Sequence, residues 1–376
     1  MTNIHSRRKF FKQAGLGGLL TLTQPELNLS PGKLENPFVP KPPDHVIRSV
    51  PENMVWGYYG ADVPAVAEVS DGDVVEIHSI STSGIPREDP LSFFEANKIP
   101  SNQHTEEVLA IIEHVKPEPS GIRGHMLTGP IYIRGAEPGD SLEIRIHDIK
   151  LRSDFGVNHT RPGGGAIPDD VQERESIVYR YDFDKQTASP FPGVEIPLSP
   201  FMGVMALSPA PEEGRVSSIP PGYFGGNLDL RHLVKGTTLH LPVSVSGGMF
   251  TTGDAHAAQG NGEVSGTAIE TSMTLVAEFV VHKGKSIKGP WAESEAHFMA
   301  IGLDPDVDEA MRNAVRETIR IIQEKTGLSY NQALSVASIA VDFEVTQVVD
   351  RNLGVHGMIP KSIFTNHQFP YWYKSS

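Results

Sequence analysis

Short apolar runs recur along the first three quarters of the chain and predict a body built mostly of β-strands. The clearest run, 141–149, has leucine or isoleucine at alternate positions, so these side chains would share one face of a strand. The residues before it, 137–140 (EPGD), are typical of a turn and predict a hairpin with the preceding strand. Four further runs are interpreted as strands: 74–80, 131–134, 237–245 and 272–282.

The last quarter of the chain changes to a helical period. Asp304-Pro305 is typical of a helix start and Gly327 of a helix end, with four apolar residues between them on one face: Met311, Val315, Ile319 and Ile322. Ser329 with Gln332 matches a capping box and predicts a second helix, from Tyr330 to about Val349. The predicted fold class is therefore α+β, with a β-rich body, sandwich-like or barrel-like, and a C-terminal helical pair.

Composition narrows the classes of partner and of site. The chain has 36 glycines and 30 prolines, which favour turns over long helices. Its formal net charge is −14 without clustered Lys or Arg, which argues against a nucleic acid as partner. It has no cysteine, which excludes disulfides, thiolate zinc sites and cysteine nucleophiles. Any metal must therefore be held by histidine and carboxylate side chains.

The first 25 residues predict export. The segment 6–12 (SRRKFFK) precedes a weakly apolar run at 14–23 and resembles a twin-arginine signal, which predicts a periplasmic or secreted protein. The run is too short to span a bilayer, so we expect no stable membrane insertion. Predicted boundaries are 1–25 for the signal, 26–45 for a proline-rich arm or linker and 46–376 for the folded domain. The arm could wrap a neighbouring copy, so a homo-oligomer is a further expectation.

The stretch 247–270 combines six glycines with Asp254, His256, Glu263 and Glu270. Glycine lets a backbone approach a ligand closely, and carboxylates with an imidazole suit a metal or acid–base site. Asp254 and His256, two apart in a strand, would face one side and could reach one cation, with Glu263 as base or further ligand. A hydrated surface loop has the same composition, so on composition alone both interpretations stay open.

Three other segments carry weaker evidence for chemistry. His125 enters a strand beside apolar residues, where a core histidine is commoner than a ligand. The glycines at 163–165, close after His159, could donate N–H groups to an oxyanion or form a lid, and the lid is favoured. The segment 225–229 (GGNLD) is ordinary turn sequence. Six histidines without close partners in sequence are interpreted as structural: His104, His114, His147, His232, His240 and His282.

Five short segments occur in order along the chain: 125–130 (HMLTGP), 135–140 (GAEPGD), 225–229 (GGNLD), 253–263 (GDAHAAQGNGE) and 268–270 (AIE). Their order and spacing together resemble the acetamidase/formamidase family of amide hydrolases. The resemblance extends over roughly residues 45–365. The chain departs from many members at 78–81 (HSIS), which bears on the shape of the substrate pocket.

This resemblance implies a β-rich fold, hydrolysis of short amides and a divalent metal, with zinc as the first expectation. By position, Asp254 and His256 would be metal ligands and His125 a third. Glu263 or Glu270 would be the general base or another ligand. Three residues would line the pocket: Gly225, Gly226 and Asn227.

Residues and resemblance together predict a metal-dependent hydrolase of a linear, non-peptide amide. Its substrate would be a small amide, and its products a carboxylate and ammonia or an amine. The alternative is an exported small-ligand-binding protein that keeps the fold and the metal site without turnover. Separate substitution of Glu263 and Glu270 would distinguish the two, because loss of a catalytic base lowers the rate while the metal content survives.

Overall fold

The computed structural model describes residues 41–374. The predicted export signal at 1–25 lies outside this range, as does the predicted arm at 26–45 except for its last residues. The domain boundaries, the export and the role of the arm in self-association therefore stay predictions.

The described residues form 22 strands and four helices in chain order. The strands are β1 His45–Ile47, β2 Met54–Trp56, β3 Tyr58–Tyr59, β4 Ala67–Val69, β5 Val74–His78, β6 Met126–Ile133, β7 Ser141–Leu151, β8 Phe155–Thr160, β9 Glu175–Asp182, β10 Thr187–Ser189, β11 Ile196–Pro197, β12 Phe201–Ala206, β13 Val216–Ser217, β14 Gly225–Asn227, β15 Thr238–Pro242, β16 Phe250–His256, β17 Glu270–Thr271, β18 Met273–His282, β19 Trp291–Glu293, β20 His297–Asp304, β21 Asp342–Gln347 and β22 Leu353–Pro360. The helices are α1 Pro90–Ala96, α2 Gln103–His114, α3 Val307–Thr326 and α4 Tyr330–Ala340.

Two large sheets make up the body. The nine-stranded sheet has the order β1-β5-β18-β7-β15-β19-β20-β22-β21. The eleven-stranded sheet has the order β11-β10-β9-β8-β17-β16-β12-β14, and β6 joins it by pairing with β16, β2 and β4. The predicted β-rich α+β class is thereby confirmed.

The two large sheets share one hydrophobic core. Ile77, Ile144 and Leu275 contribute to it from the nine-stranded sheet, and all three side chains are fully buried. Met202 and Phe250 enter it from the eleven-stranded sheet and are equally buried. Each such side chain stabilises the fold by about 1.5–3 kcal/mol relative to its exposed state, so the sheets are held together as a sandwich-like body.

The C-terminal helical pair is present, and its caps explain where it starts. The Asp306 carboxylate accepts hydrogen bonds from the first N–H groups of α3, and Gly327 ends the helix in a left-handed conformation with φ of 73°. Ser329 and Gln332 form the predicted capping box of α4. The predicted end of α4 near Val349 is wrong, because the helix stops at Ala340 and 342–347 is strand β21.

The predicted hairpin around the turn at 137–140 is also wrong. β6 precedes this turn and pairs with strands of the eleven-stranded sheet, whereas β7 follows it and pairs with β15 and β18. The turn therefore carries the chain from one sheet to the other. Asp140 anchors it, since its carboxylate accepts hydrogen bonds from the Glu137 and Gly284 N–H groups and from the Lys283 ammonium group.

Candidate active site

β16 brings the first two candidate residues into the middle of the eleven-stranded sheet. One edge of this strand pairs with β12 along most of its length. On the other edge its partner changes, since Gly253 pairs with Leu127 of β6 whereas His256 pairs with Glu270 of β17. Asp254 lies at the point where the partner strand changes from β6 to β17. Its side chain is therefore next to a gap between the ends of these two strands.

Four of the predicted residues converge at this gap. Asp254 Oδ2 and Glu270 Oε1 each lie 3.3 Å from His256 Nε2. His125, just before β6, places its Nε2 3.8 Å from Asp254 Oδ2. The structure therefore brings together residues that are up to 145 positions apart in sequence (270 minus 125).

The backbone around this cluster adopts an unusual conformation. Asp254, Glu263 and Asp229 have φ angles of 51°, 46° and 48°, in the left-handed region that non-glycine residues rarely adopt. The simple alternation predicted for Asp254 and His256 is thus interrupted at Asp254. Such conformations cost of order 1–3 kcal/mol each and cluster at functional sites, where the surrounding structure holds them in place.

The far side of the His256 ring is held by a fixed set of partners. Its Nδ1 lies 2.9 Å from Gln259 Oε1 and 3.5 Å from Asp229 Oδ1. Gln259 is itself oriented, because its amide donates to the Asp229 carbonyl oxygen at 2.9 Å. An amide oxygen can only accept a hydrogen bond, so Nδ1 carries the proton in this one. In the neutral ring, Nε2 then has a lone pair, and this lone pair faces the side where Asp254 and Glu270 lie.

Charge is concentrated at this buried site. Burial alone would raise the pKa of Asp254, but the positive charges of His125 and His256 outweigh it and hold that pKa below its ordinary value. Burial would lower the pKa of His256, but the carboxylates of Glu270 and Asp254 raise it well above normal. Burial also raises the pKa of Glu270, against the opposing charge of His256.

Three further carboxyl groups surround the cluster. Burial, followed by the charge of Asp350, raises the pKa of Asp229 well above normal. Burial, followed by the charge of Asp229, does the same for Glu263. Burial raises the pKa of Asp350 to about 7. These groups oppose one another's ionisation, and a cation among them would relieve the repulsion.

The cluster lies in the wall of a cavity of about 640 Å³. Its lining includes His125, Asn227, Asp254, Glu263, Glu270 and Asp350, together with four arginines: Arg123, Arg161, Arg174 and Arg351. The glycines at 163–165 and His159 also line it, so this segment borders the site. A second cavity of about 350 Å³ shares His125 and Asp254 and is lined in addition by Ser81, in the segment where the sequence departs from the family pattern.

The three predicted pocket residues occupy different positions. Asn227 lines the larger cavity and donates from its amide to the Ile219 carbonyl oxygen at 3.2 Å. Gly225 and Gly226 are buried in β14 and are not part of the lining. A Cβ atom on Gly225 would lie 2.5 Å from the Met205 carbonyl oxygen, so its need for glycine comes from strand packing.

Sequence reasoning missed two carboxylates of the site. Asp229 was assigned to an ordinary turn, yet it is fully buried and faces His256. Asp350 lies 80 residues after Glu270 in sequence, and its local sequence, Val348 to Arg351, carries no pattern typical of a site. These two residues are recognised as part of the site only from their buried positions in the fold.

The residues of the cluster have the chemistry of a cation site. Two overlapping sets each bring their ligand atoms within 4.8 Å of one another: Asp254, His256 and Glu270 form one, and Asp229, His256 and Glu263 the other. Within the described residues, several buried atoms of these sets have no hydrogen-bond partner: His256 Nε2, Glu270 Oε2 and both Asp229 carboxylate oxygens. Buried carboxylate and imidazole atoms that lack partners are costly unless a ligand satisfies them.

Comparisons with known proteins show that the chain is similar to amide-hydrolysing enzymes. The chain is 24% identical to a formamidase from Methylophilus methylotrophus over 389 residues, covering 83% of this chain and 90% of the relative. It is also 24% identical to an acetamidase from Mycolicibacterium smegmatis over 199 residues, covering 38% of this chain and 49% of the relative. The crystal structure of an acetamidase from Bacillus halodurans matches with a TM-score of 0.70 and 26% identity, covering 86% of this chain and 100% of that one.

Fold, site and relatives define a hydrolase that acts on C–N bonds other than peptide bonds. The model of the Acetamidase/Formamidase family matches residues 118–214 and 212–366, and the chain belongs to this family. The predicted family and enzyme class are thus confirmed, and the alternative of a binding protein without turnover finds no support among these relatives. Between residues 41 and 374 none of the helices has the length and apolar character needed to cross a membrane.

Proposed function

We propose that the chain hydrolyses a small linear amide, of the size of formamide or acetamide, to a carboxylate and ammonia or an amine. The convergence of Asp254 and Glu270, which line a polar cavity, on the buried His256 carries this proposal. The names of the relatives, formamidase and acetamidase, support the choice of substrate class.

The proposal includes a divalent cation, with zinc as the first expectation, held by Asp254, His256 and Glu270 with His125 as the fourth ligand. Atoms bound tetrahedrally to one zinc ion at about 2.1 Å are about 3.4 Å apart. The two separations of 3.3 Å from His256 Nε2 to Asp254 Oδ2 and Glu270 Oε1 are close to this value. His125 Nε2 lies 3.8 Å from Asp254 Oδ2 but is not part of the set whose ligand atoms all lie within 4.8 Å of one another, so its binding would require its side chain to move closer. The lack of hydrogen-bond partners on His256 Nε2 and Glu270 Oε2, among the residues described, favours the same assignment.

A cation bound there would polarise the amide carbonyl group and lower the pKa of water. Glu263 lies in the wall of the same cavity and is the proposed general base. Its carboxylate accepts a proton from the attacking water as the new C–O bond forms at the carbonyl carbon. It then returns that proton to the nitrogen as the C–N bond breaks, so the products are a carboxylate and ammonia or an amine.

The division of roles between the two glutamates follows from their positions. Glu270 Oε1 lies 3.3 Å from His256 Nε2 and is fixed by a 2.9 Å hydrogen bond from the Ala268 N–H, as suits a ligand held in one orientation. Glu263 belongs to the second set, with Asp229, and faces the cavity. We therefore assign cation binding to Glu270 and proton transfer to Glu263.

Asn227 is the proposed substrate-binding residue. Its side-chain oxygen is buried and has no hydrogen-bond partner within residues 41–374, while its amide nitrogen is held by Ile219. The oxygen is thus directed as an acceptor for the N–H of a bound amide. Gly225 supports it by allowing β14 to pack closely against β12, and Gly226, beside it, has a φ of 92° that favours glycine.

The substrate class is tested by measuring ammonia release from formamide and acetamide, and formation of the ring-opened amino acid from a small lactam, by the full chain. We expect hydrolysis of at least one linear amide at a higher kcat/KM than the lactam. Absence of hydrolysis of every linear amide, in protein shown to contain zinc, would refute the proposed substrate class. Localisation is proposed separately as periplasmic or secreted, on the basis of the segment 6–12.

A further inference from the structure

A second group of histidine and carboxylate side chains lies away from the residues assigned above. His232, Glu344 of β21 and His356 of β22 bring one ligand atom each within 4.8 Å of one another. His356 is fully buried, and its ring meets that of His232 edge to face, with the centroids 5.1 Å apart. His356 Nε2 is 3.9 Å from a carboxylate oxygen of Glu344.

The imidazole nitrogens of this group are available to bind a ligand. Across the described part of the chain, the buried atoms His232 Nε2 and His356 Nε2 have no hydrogen-bond partner. Asn261, in the loop that leads to Glu263, donates to Glu344, and its side-chain oxygen is likewise buried without a partner. Three electron-pair donors that lack partners around one carboxylate are uncommon in a folded protein.

The orientation of His356 is fixed from behind. Its Nδ1 lies 2.7 Å from Thr346 Oγ1, and when Nδ1–H donates to this hydroxyl the Nε2 lone pair is free to bind a cation. Burial disfavours the charged form of both rings, since it lowers the pKa of His356 to about 3 and also lowers the pKa of His232. Neutral imidazole is the form that binds metal ions.

We propose that His232, Glu344 and His356 form a second cation site, with the side-chain oxygen of Asn261 as a fourth donor. Two imidazoles and one carboxylate select a transition metal of the zinc type over calcium or magnesium, which prefer oxygen ligands. The Arg231 guanidinium group lies close enough to depress the pKa of both histidines and opposes the cation, whereas the Glu344 carboxylate favours it.

This site would hold the loop of the first site in place. Asn261 belongs to the segment between His256 and Glu263, and its neighbour Gly262 forms an isolated bridge with Gln347 at the end of β21. A cation shared by Asn261, Glu344 and two histidines would fix this loop to β21 and β22 at a second point. The role is therefore structural support of the loop that carries Glu263.

The test uses the full chain stripped of metal, reloaded with zinc and desalted, with zinc counted per chain by mass spectrometry. The wild type is expected to retain two zinc ions, and His256→Ala, which removes the first site, one. Adding Glu344→Gln to His256→Ala is expected to lower the affinity for the remaining zinc ion by at least about tenfold. The Glu344 side chain is 42% exposed, so its replacement should leave the fold intact, as a circular dichroism spectrum would verify.

A matched control is Glu309→Gln in the His256→Ala background, because the Glu309 side chain on α3 has a similar exposure of 44%. This control should leave zinc binding at the second site unchanged. A gain-of-function variant is Asn261→Asp, which replaces the amide oxygen by a carboxylate and should tighten zinc binding. Retention of no zinc by His256→Ala, or equal zinc affinity with and without Glu344→Gln, would overturn the second site without affecting the first.

Discussion

Glu270 stands directly opposite His256 across the β16–β17 pair, and its Oε1 atom lies 3.3 Å from His256 Nε2. The strand register therefore decides which carboxylate meets the imidazole, whereas the loop between them decides where Glu263 lies. A register set by backbone hydrogen bonds positions side chains more firmly than a loop does. This contrast underlies the different roles proposed for the two glutamates.

The first prediction separates those roles by substitution. Glu263→Gln is expected to keep the bound cation but to lower the hydrolysis rate by about 10²–10⁴-fold, because an amide cannot accept the proton from water. Glu270→Gln is expected to weaken cation binding by at least about tenfold. Zinc content and ammonia release measured on the same samples check both. Normal zinc with an unchanged rate in Glu263→Gln would exclude it as the base.

The second prediction concerns the close packing of Gly203 against the residues of the site. A Cβ atom on Gly203 of β12 would lie 2.4 Å from Asp229 Oδ1 and 2.8 Å from His256 Cε1. Gly203→Ala should therefore displace these groups, destabilise the fold by about 1–3 kcal/mol and lower activity. Urea unfolding and ammonia release measure the two effects.

The matched control for that variant is Gly260→Ala. Gly260 lies in the loop of the site, but within the described part of the chain no atom other than those of its chain neighbours lies within 4 Å of the added Cβ. We expect stability and activity close to those of the wild type. Equal behaviour of the two alanine variants would show that close packing at Gly203 does not support the site.

The third prediction is a pH dependence at Asp140, remote from the cluster in sequence. Burial opposes its ionisation, but the Lys283 ammonium group and two backbone N–H groups outweigh burial and lower the pKa of Asp140. Because this pKa is lower in the folded state, the contribution to stability is present above about pH 4 and is lost as pH falls through the folded value.

Asp140→Asn should therefore lower the free energy of unfolding by about 1–3 kcal/mol at pH 7. The difference from the wild type should shrink as the pH is lowered from 4 toward 3. Urea unfolding at pH 7 and at low pH measures it. A difference that stays constant across this range would show that the Asp140 charge does not contribute.

The fourth prediction concerns export, which depends on residues outside the described range. Replacing Arg7 and Arg8 together by lysine keeps the charge but removes the paired guanidinium groups, and should leave the protein in the cytoplasm of a host with a twin-arginine pathway. Lys9→Arg is the matched control and should be exported normally. Cell fractionation followed by immunoblotting measures the distribution. Export of the double lysine variant at the normal level would refute the predicted signal.

Local sequence predicted those parts of the fold that local interactions determine. Gly327 ends α3 and Ser329 with Gln332 begins α4, as predicted, because these residues act within one turn. The cap of α3 is Asp306, two residues after the predicted start at Asp304. The end of α4 was missed because apolar residues recur through 337–345, without glycine or proline to mark a boundary. Residues 342–347 become a strand through pairing with β22, a partner that local pattern does not reveal.

The difference between local and long-range interactions also explains which site residues could be predicted from the sequence. Asp254, His256 and Glu270 lie within one stretch, so their residue types and spacing were visible in sequence. Asp229 and Asp350 join them only because distant segments meet in the folded chain. His232, interpreted from the sequence as structural, meets His356 for the same reason. Residue type alone did not separate the roles of Glu263 and Glu270.

The central claim is that a cation held at Asp254, His256 and Glu270 is required for amide hydrolysis. The most direct measurement is ammonia release from formamide and acetamide by the full chain after complete removal of metal, before and after zinc is added back. We predict that the rate is lost with the metal, returns with zinc in the wild type and does not return in His256→Ala. A full rate in protein verified to be free of metal would contradict the claim.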